Sequence, residues 1–239
     1  MALRKPASGT NRNLREQVVQ RVRSEIISGQ SGPGTMFSVP SLASSLGVST
    51  TPVREALLEL SRTGLLQPLR NRGFRVVEPS RRELEELFDM RDVLEIHAAR
   101  LLADGPRRDL SVLRVHADAI AKAVEREDVQ AYLESDRAFH FALVSAAGNA
   151  LLTDTIMSLR DKMRLYGISS RAGHERQIAS VPEHYLLIDL AEKAAREALI
   201  ELLRHHIMSW KPIFVEALEQ TQRPRQPLVS IAPRSGRTR

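Results

Sequence analysis

Residues 38–76 constrain the fold more than any other part of the chain. Apolar residues recur there at helical spacing in two short segments, which the dipeptide Gly47-Val48 separates. The first segment follows Ser38, a residue type that commonly precedes a helix, and the second runs from about 50 to 63. Two helices separated by so short a break predict a helix-turn-helix.

The sequence on either side of this motif completes a winged helix-turn-helix over residues 12–79. Upstream, apolar residues spaced by four predict a helix from Asn13 to Ile27. Downstream, two short apolar runs surround Arg70-Asn71-Arg72-Gly73, which predicts a β-hairpin. Because Pro68 cannot donate to a strand ladder, its strand is expected at an edge or a bulge.

Residues 80–220 have helical periodicity throughout and no convincing alternating strand pattern. Breaks are expected at Gly105-Pro106, near 126–128, at Gly148-Asn149 and across 167–182. They predict an antiparallel all-α bundle of six or seven helices, so the fold class is mainly α. Residues 1–11 are predicted to form a flexible arm, and residues 221–239 a basic disordered tail.

The charge of the chain is concentrated at its ends. Residues 1–79 hold 11 Lys and Arg against 5 Asp and Glu, residues 80–220 hold 19 against 24, and residues 221–239 hold 5 against none. A basic N-terminal region suits the phosphate backbone of nucleic acid. The chain has no cysteine, no secretory signal and no apolar run of about 20 residues, so a cytoplasmic protein without a membrane span is expected.

Short polar side chains at the start of the second motif helix are candidates for DNA contact. Ser49, Thr50 and Thr51 carry hydroxyls beside the free N–H groups of a helix N-terminus, which suit a phosphate or a base edge. Arg54 lies one turn further on and can donate two hydrogen bonds to a guanine. Alternatively, Ser49 only caps the helix and Arg54 pairs with an acidic neighbour. The hairpin tip can reach a flanking groove through Arg70, Asn71, Arg72 and Gly73.

The N-terminal segment resembles the GntR family of bacterial regulators. The resemblance rests on Leu42-Ala43, Leu46-Gly47-Val48-Ser49, Pro52-Val53-Arg54-Glu55-Ala56-Leu57, Gly64-Leu65-Leu66 and Asn71-Arg72-Gly73. It implies a regulator that binds a double-stranded DNA operator as a homodimer. The chain departs from the family at Thr50 and Pro40, where members place Arg, so its operator preference is expected to differ from that of relatives.

The helical segment resembles the FCD effector domains of the FadR-type subgroup of this family. Its landmarks are Glu86-Leu87-Phe88, Arg91, Leu94-Glu95, Asp136-Arg137-Ala138-Phe139-His140, Gly148-Asn149, Glu183-His184 and His206-Ile207. The resemblance implies a divalent metal held by Asp136, His140, His184 and His206. Zinc is expected first, with nickel, manganese or iron as alternatives that this ligand set does not separate.

The spacing of these four residues agrees in part with a shared ion. Asp136 and His140 are four residues apart and lie on one helical face. His184 and His206 can meet only if the chain reverses near residue 195, yet residues 192–196 contain no helix breaker. His206 is preferred to His205 because it shares an apolar helical stripe with neighbouring leucines.

These features predict a DNA-binding regulator, most simply a repressor, controlled by a small organic acid at the metal site. Arg91 is the first candidate to pair with the acid, followed by Arg160 and Arg164. One alternative is a metal-dependent hydrolase or isomerase with a DNA-binding appendage, but no general base such as the glutamate of HExxH is evident. The other is a pure metal sensor.

Overall fold

The computed structural model describes residues 8–27, 29–77, 79–163 and 167–222. In this part the chain has ten helices and three short strands. None of the described helices combines the length and apolar character that a membrane crossing needs. The elements are α1 (Ser8–Ile27), β1 (Met36–Phe37), α2 (Val39–Leu46), α3 (Thr50–Arg62), β2 (Leu66–Leu69), β3 (Gly73–Val76), α4 (Arg81–Asp104), α5 (Ser111–Glu125), α6 (Val129–Ser145), α7 (Ala150–Met163), α8 (Arg171–Glu192), α9 (Arg196–Met208) and α10 (Lys211–Gln222).

The N-terminal domain is the winged helix-turn-helix that the sequence predicts. Helix α3 packs against both α1 and α2. Their shared apolar core includes Val22, Leu57 and Leu60, none of which is exposed. Strand β3 lies in the centre of an antiparallel sheet, and its hairpin with β2 pairs Leu66 with Val76.

The sheet has one strand more than the sequence indicated. β1 pairs with β3 through Met36–Arg75 and Phe37–Phe74. A two-residue strand is too short to show an alternating pattern, so only the tertiary pairing reveals it. Gly73 allows this pairing, since its φ is +104° and a Cβ there would lie 2.3 Å from the Phe37 carbonyl oxygen.

The ends of the chain differ from the predicted arm and tail. Helix α1 begins at Ser8 rather than Asn13, so residues 8–11 of the predicted flexible arm are helical. Helix α10 ends at Gln222, two residues into the predicted tail. The other residues of these two segments, 1–7 and 223–239, lie outside the described residues.

A capping box starts the C-terminal domain. The Ser80 hydroxyl accepts from the Glu83 backbone N–H at 3.2 Å, and the Glu83 carboxylate accepts from the Ser80 backbone N–H at 2.7 Å. These bonds satisfy two backbone donors and begin α4 one residue after the predicted boundary at 79/80.

Seven helices, α4 to α10, form the bundle in the described part of the chain, as predicted. Helix α4 is central and packs against α6, α7, α8, α9 and α10. The core contains Phe88, Phe139, Leu187 and Leu203, all at most 1% exposed. The bundle therefore surrounds the middle of α6, α8 and α9, where the predicted metal ligands lie.

The predicted break across 167–182 is wrong from residue 171 onward, where α8 begins. Helix α8 continues through Pro182, although proline removes one hydrogen bond from a helix. Pro182 and Ile178, whose carbonyl loses its partner, both lie on the exposed face of the helix. Water can satisfy that carbonyl, so the helix continues.

The chain reverses between α8 and α9 without a glycine or a proline. Lys193 caps α8, and Ala194 takes a left-handed backbone conformation with φ of +52°. The Ala195 N–H then donates to the Leu190 carbonyl at 2.9 Å. This turn folds α9 back against α8, as the predicted metal site requires.

Candidate metal centre and nucleic-acid surface

The start of α3 is exposed. Ser49, Thr50, Thr51 and Arg54 all face solvent. Ser49 occupies the N-cap position, but its side chain makes no capping hydrogen bond. Among the described residues Arg54 makes no ion pair. Neither structural alternative, a capping serine or a paired arginine, accounts for these side chains.

A groove of about 520 Å³ joins this helix to the wing. Arg54 and Leu58 line it from α3, and no acidic residue is among its lining residues. The wing tip lines the other wall with Arg70, Asn71, Arg72 and Gly73. The structure thus brings Arg54 and the predicted residues of the wing tip to one basic groove. Ser49, Thr50 and Thr51 are exposed but do not line it, and contact of any of these residues with DNA stays a prediction.

The four predicted metal ligands converge in the bundle. Helix α6 supplies Asp136 and His140, α8 supplies His184 and α9 supplies His206. One ligand atom from each lies within 4.8 Å of every other, and all four residues are buried. His205, by contrast, has a side chain that is 66% exposed.

The three rings present their Nε2 atoms to one point. The Nε2 atoms of His140 and His206 are 3.2 Å apart. The Nε2 atoms of His140 and His184 each lie 3.5 Å from the Asp136 carboxylate. Three imidazole nitrogens and a carboxylate oxygen are a donor set that zinc and related divalent ions accept.

Several of these nitrogens lack a hydrogen-bond partner. Among the described residues, His140 Nδ1 and both ring nitrogens of His184 are buried without one. A buried unsatisfied polar group costs about 1–3 kcal/mol, so it calls for an explanation. A divalent ion bound in the cluster would accept the lone pair of His184 Nε2 and so explain why this atom has no hydrogen-bond partner. The four residues therefore fit a metal ion.

Burial holds the rings of His140 and His206 neutral. Burial lowers the pKa of His206 to about 4, and Glu183 opposes this only in part. Burial, helped by the positive charge of Arg160, lowers the pKa of His140 well below its usual value. Metal ligation requires the unprotonated ring, so protons compete little with a metal at neutral pH.

Glu183 is a site residue that sequence reasoning missed. Its carboxylate accepts from His206 Nδ1 at 2.6 Å, and the Arg176 guanidinium donates to both of its oxygens. Burial would raise the pKa of Glu183, but the bonds from His206 and Arg176 lower it to about 2. No spacing rule connects Glu183 to a histidine 23 residues later.

Glu95 was missed as well, and it joins two of the predicted effector-binding arginines. Arg91 Nε donates to it at 2.7 Å, and Arg160 Nη1 at 3.0 Å. Arg160 also donates to Asp136 at 3.3 Å. Burial would raise the pKa of Glu95, but the charges of Arg91 and Arg160 lower it to about 2. The third predicted arginine, Arg164, lies outside the described residues.

A small cavity adjoins the cluster. Its volume is about 30 Å³, which has room for about two waters. Asp136, His206, Arg91 and Arg160 line it together with Trp210, the single tryptophan of the chain. A ligand larger than this must displace side chains to enter.

Both parts of the chain match known families. Residues 14–76 match the family model described as bacterial regulatory proteins, gntR family, and residues 86–209 match the FCD domain.

Individual relatives match over most of their length. The regulator BphR of Paraburkholderia xenovorans is 32% identical over 206 residues, covering 83% of this chain and 84% of the relative. A probable D-xylose utilization operon transcriptional repressor of Paenarthrobacter nicotinovorans is 28% identical, covering 85% and 89%. The solved structure of E. coli McbR/YncC superposes with a TM-score of 0.74 at 25% identity, covering 87% of this chain and 98% of that one.

Proposed function

The chain belongs to the GntR family of bacterial transcriptional regulators and carries an FCD domain, and on this premise we propose that it is a repressor controlled by a small carboxylate. The relatives indicate a regulator and not an enzyme. We place the control point at a metal site in the bundle. The observation that carries the proposal is the buried convergence of four ligand atoms in a chain with an exposed basic groove.

The metal would be held by Asp136, His140, His184 and His206. Zinc is our first choice, and nickel, manganese and iron(II) accept the same three imidazoles and one carboxylate. A bound ion supplies positive charge to the adjoining cavity. Together with the two cavity-lining arginines, it favours an anionic ligand over a neutral one.

The effector would compete for arginines that are already engaged. Arg91 and Arg160 both donate to Glu95, and Arg160 also donates to Asp136. A carboxylate in the cavity accepts hydrogen bonds from the same guanidinium groups. It therefore redistributes these contacts, and Arg160 and Asp136 are the residues whose positions are most sensitive to it.

These two positions adjoin a contact with the DNA-binding domain. Arg137, next to Asp136, donates to Asp161, next to Arg160, at 2.9 and 3.2 Å. Asp161 in turn lies 3.9 Å from Arg23 of α1. Since α1 packs against α3, a shift in α6 or α7 has a direct route to the recognition helix.

Repression and dimerisation complete the proposal. The Paenarthrobacter relative is described as a transcriptional repressor, which supports the same role here. A two-fold homodimer would present two winged helices to a two-fold operator, the usual arrangement for such domains. Sedimentation equilibrium of the full chain gives the oligomeric state, and a monomer at micromolar concentration would contradict this part.

The DNA-binding role of the groove is tested with Arg54→Ala. Operator fragments are selected from a random DNA library with the wild-type protein, and binding is titrated by gel shift. We expect specific binding to be lost, while circular dichroism and oligomeric state stay unchanged. Arg62→Ala, an exposed arginine on the same helix that does not line the groove, is the matched control. An Arg54→Ala titration equal to wild type refutes the role.

The control mechanism is tested with metal and acids separately. Elemental analysis compares wild type with a triple variant in which His140, His184 and His206 are alanine. Operator affinity is then measured metal-free, with zinc, and with zinc plus a panel of small organic acids, and Trp210 fluorescence reports acid binding. A shift that needs an acid supports the proposal. A shift with zinc alone indicates a metal sensor, and equal, negligible metal in both proteins refutes the site.

A further inference from the structure

Glu183 is placed to control one of the metal ligands. It lies on α8 directly before His184, yet its side chain reaches His206 on α9, where it accepts from Nδ1 at 2.6 Å. We propose that Glu183 is a positioning residue that fixes the tautomer and the ring orientation of His206, and that Arg176 holds Glu183 in place. This inference rests on the proposed metal site and adds a residue to it.

The hydrogen bond decides which nitrogen of His206 carries the proton. A carboxylate accepts only, so Nδ1 must donate to Glu183 and the Nε2 lone pair is left free. Nε2 is the atom that faces the cluster, 3.2 Å from His140 Nε2. The tautomer that Glu183 selects is therefore the one that can ligate a metal.

His206 is the only histidine of the set with this support in the described part of the chain. His140 Nδ1 and His184 Nδ1 have no hydrogen-bond partner there. His206 is also the ligand that depends on the turn at Ala194, because it lies on α9. A hydrogen bond from Glu183 on α8 to this ring therefore ties together the two helices that the turn joins.

Arg176 immobilises the carboxylate and reaches further into the site. Its two terminal nitrogens donate to the two oxygens of Glu183, and one of them lies 3.4 Å from the His206 carbonyl. Its guanidinium carbon lies 5.8 Å from the centre of the Trp210 ring. Arg176 and Glu183 have side chains that are 7% and 13% exposed, so water competes little with these contacts.

The first test measures the tautomer in the metal-free full chain. Long-range 1H–15N NMR assigns each histidine ring, with His206→Asn identifying the His206 signals. Wild type should show His206 protonated at Nδ1, and Glu183→Ala should move the proton to Nε2. Glu183→Gln, which keeps an acceptor oxygen, should retain more of the Nδ1–H form than Glu183→Ala. A wild-type ring protonated at Nε2 overturns the inference.

The second test measures zinc affinity by competition with a chromophoric chelator. Loss of a carboxylate behind a metal-bound histidine commonly lowers affinity by about 10–100-fold, and we expect a loss in this range for Glu183→Ala, partly restored in Glu183→Gln. Glu175→Gln, which removes an exposed carboxylate on the same helix, should bind zinc like wild type. Equal affinity of wild type and Glu183→Ala overturns the inference.

The two proposals fail in different ways. If wild type and an Asp136→Ala/His140→Ala variant bind zinc equally weakly, the metal site is refuted, whatever the tautomer of His206. If wild type binds zinc through these ligands but Glu183→Ala leaves affinity and tautomer unchanged, only the positioning role is refuted.

Discussion

Replacing Glu95 by Gln should destabilise the bundle by about 3 kcal/mol, and two estimates agree on this figure. The pKa of Glu95 falls from 4.5 to about 2 on folding, and a shift of this size corresponds to about 3 kcal/mol at neutral pH. Removing one partner of a buried ion pair independently costs about 3–5 kcal/mol. The physical cause is that Arg91 and Arg160 lose the carboxylate that compensates their buried charge.

The assay is urea and thermal unfolding followed by Trp210 fluorescence, which reports on the bundle because the chain has no other tryptophan. A loss of this size lowers Tm by roughly 6–12 °C in a domain of this length. The control is Glu85→Gln on the same helix, whose exposed pair with Arg81 should contribute little to stability because solvent screens it.

The pH dependence of the stability difference tests whether the ion pair is its cause. A carboxyl group whose pKa is lowered on folding stabilises the fold above its unfolded pKa, and loses this effect as pH falls toward the folded pKa. The difference between wild type and Glu95→Gln should therefore be constant from pH 7 to 5 and narrow from 4.5 toward 2. A difference below 1 kcal/mol at pH 7, or one that narrows near pH 6, contradicts the ion-pair explanation.

Three further predictions concern the interdomain contact, the turn and the histidines. Asp161→Asn should reduce the effect of the bound acid on operator affinity, although the protein still binds both the acid and the operator. The control Asp154→Asn, at an exposed position, should leave that effect unchanged, and fluorescence anisotropy of labelled operator with and without acid measures it in both variants. Ala194→Gly should raise the free energy of unfolding by about 1 kcal/mol, because glycine accepts a φ of +52° without strain. Urea titration measures this free energy, and a lower value than in wild type would show that the turn is not strained. In protein freed of metal with a chelator, folding lowers the pKa of His206 to about 4, so the folded ring is neutral. Below pH 6.5 the unfolded chain therefore binds more protons than the folded one, and the free energy of unfolding falls by about 2 kcal/mol from pH 7 to 5. His206→Asn should remove this part of the acid sensitivity and His205→Asn should not, as unfolding titrations at the two pH values would show.

The local signals in the sequence were sufficient for the fold class and the recognition surface. The Gly47-Val48 break, the helical spacing of apolar residues and the hairpin turn at Asn71–Gly73 each act over a few residues, so the pattern reveals them directly. The four metal ligands were also proposed from the sequence, through a family resemblance and the spacing of Asp136 and His140. The role of these four residues in metal binding stays a prediction, as does the role of the α3 and wing residues in DNA binding.

The way in which distant parts of the chain meet depends on packing and has no local sequence signal. Ala194 adopts a left-handed conformation against the preference of its residue type, because packing of α9 on α8 outweighs a local cost of about 1–2 kcal/mol. Helix α8 continues through Pro182 because this residue and Ile178 lie on the exposed face of the helix. Water can therefore satisfy the Ile178 carbonyl, to which a proline donates no hydrogen bond.

The partners of the buried charges likewise have no local signature. Glu95 meets Arg160 across 65 residues, and Glu183 meets His206 across 23. Helix packing sets these distances, and no short sequence pattern encodes them. Local sequence patterns therefore predicted α3 and the β2–β3 hairpin, and the family resemblance added the candidate ligands. Tertiary packing brings the candidate ligands together and pairs the buried charges, because both depend on side chains buried against elements far away in the chain.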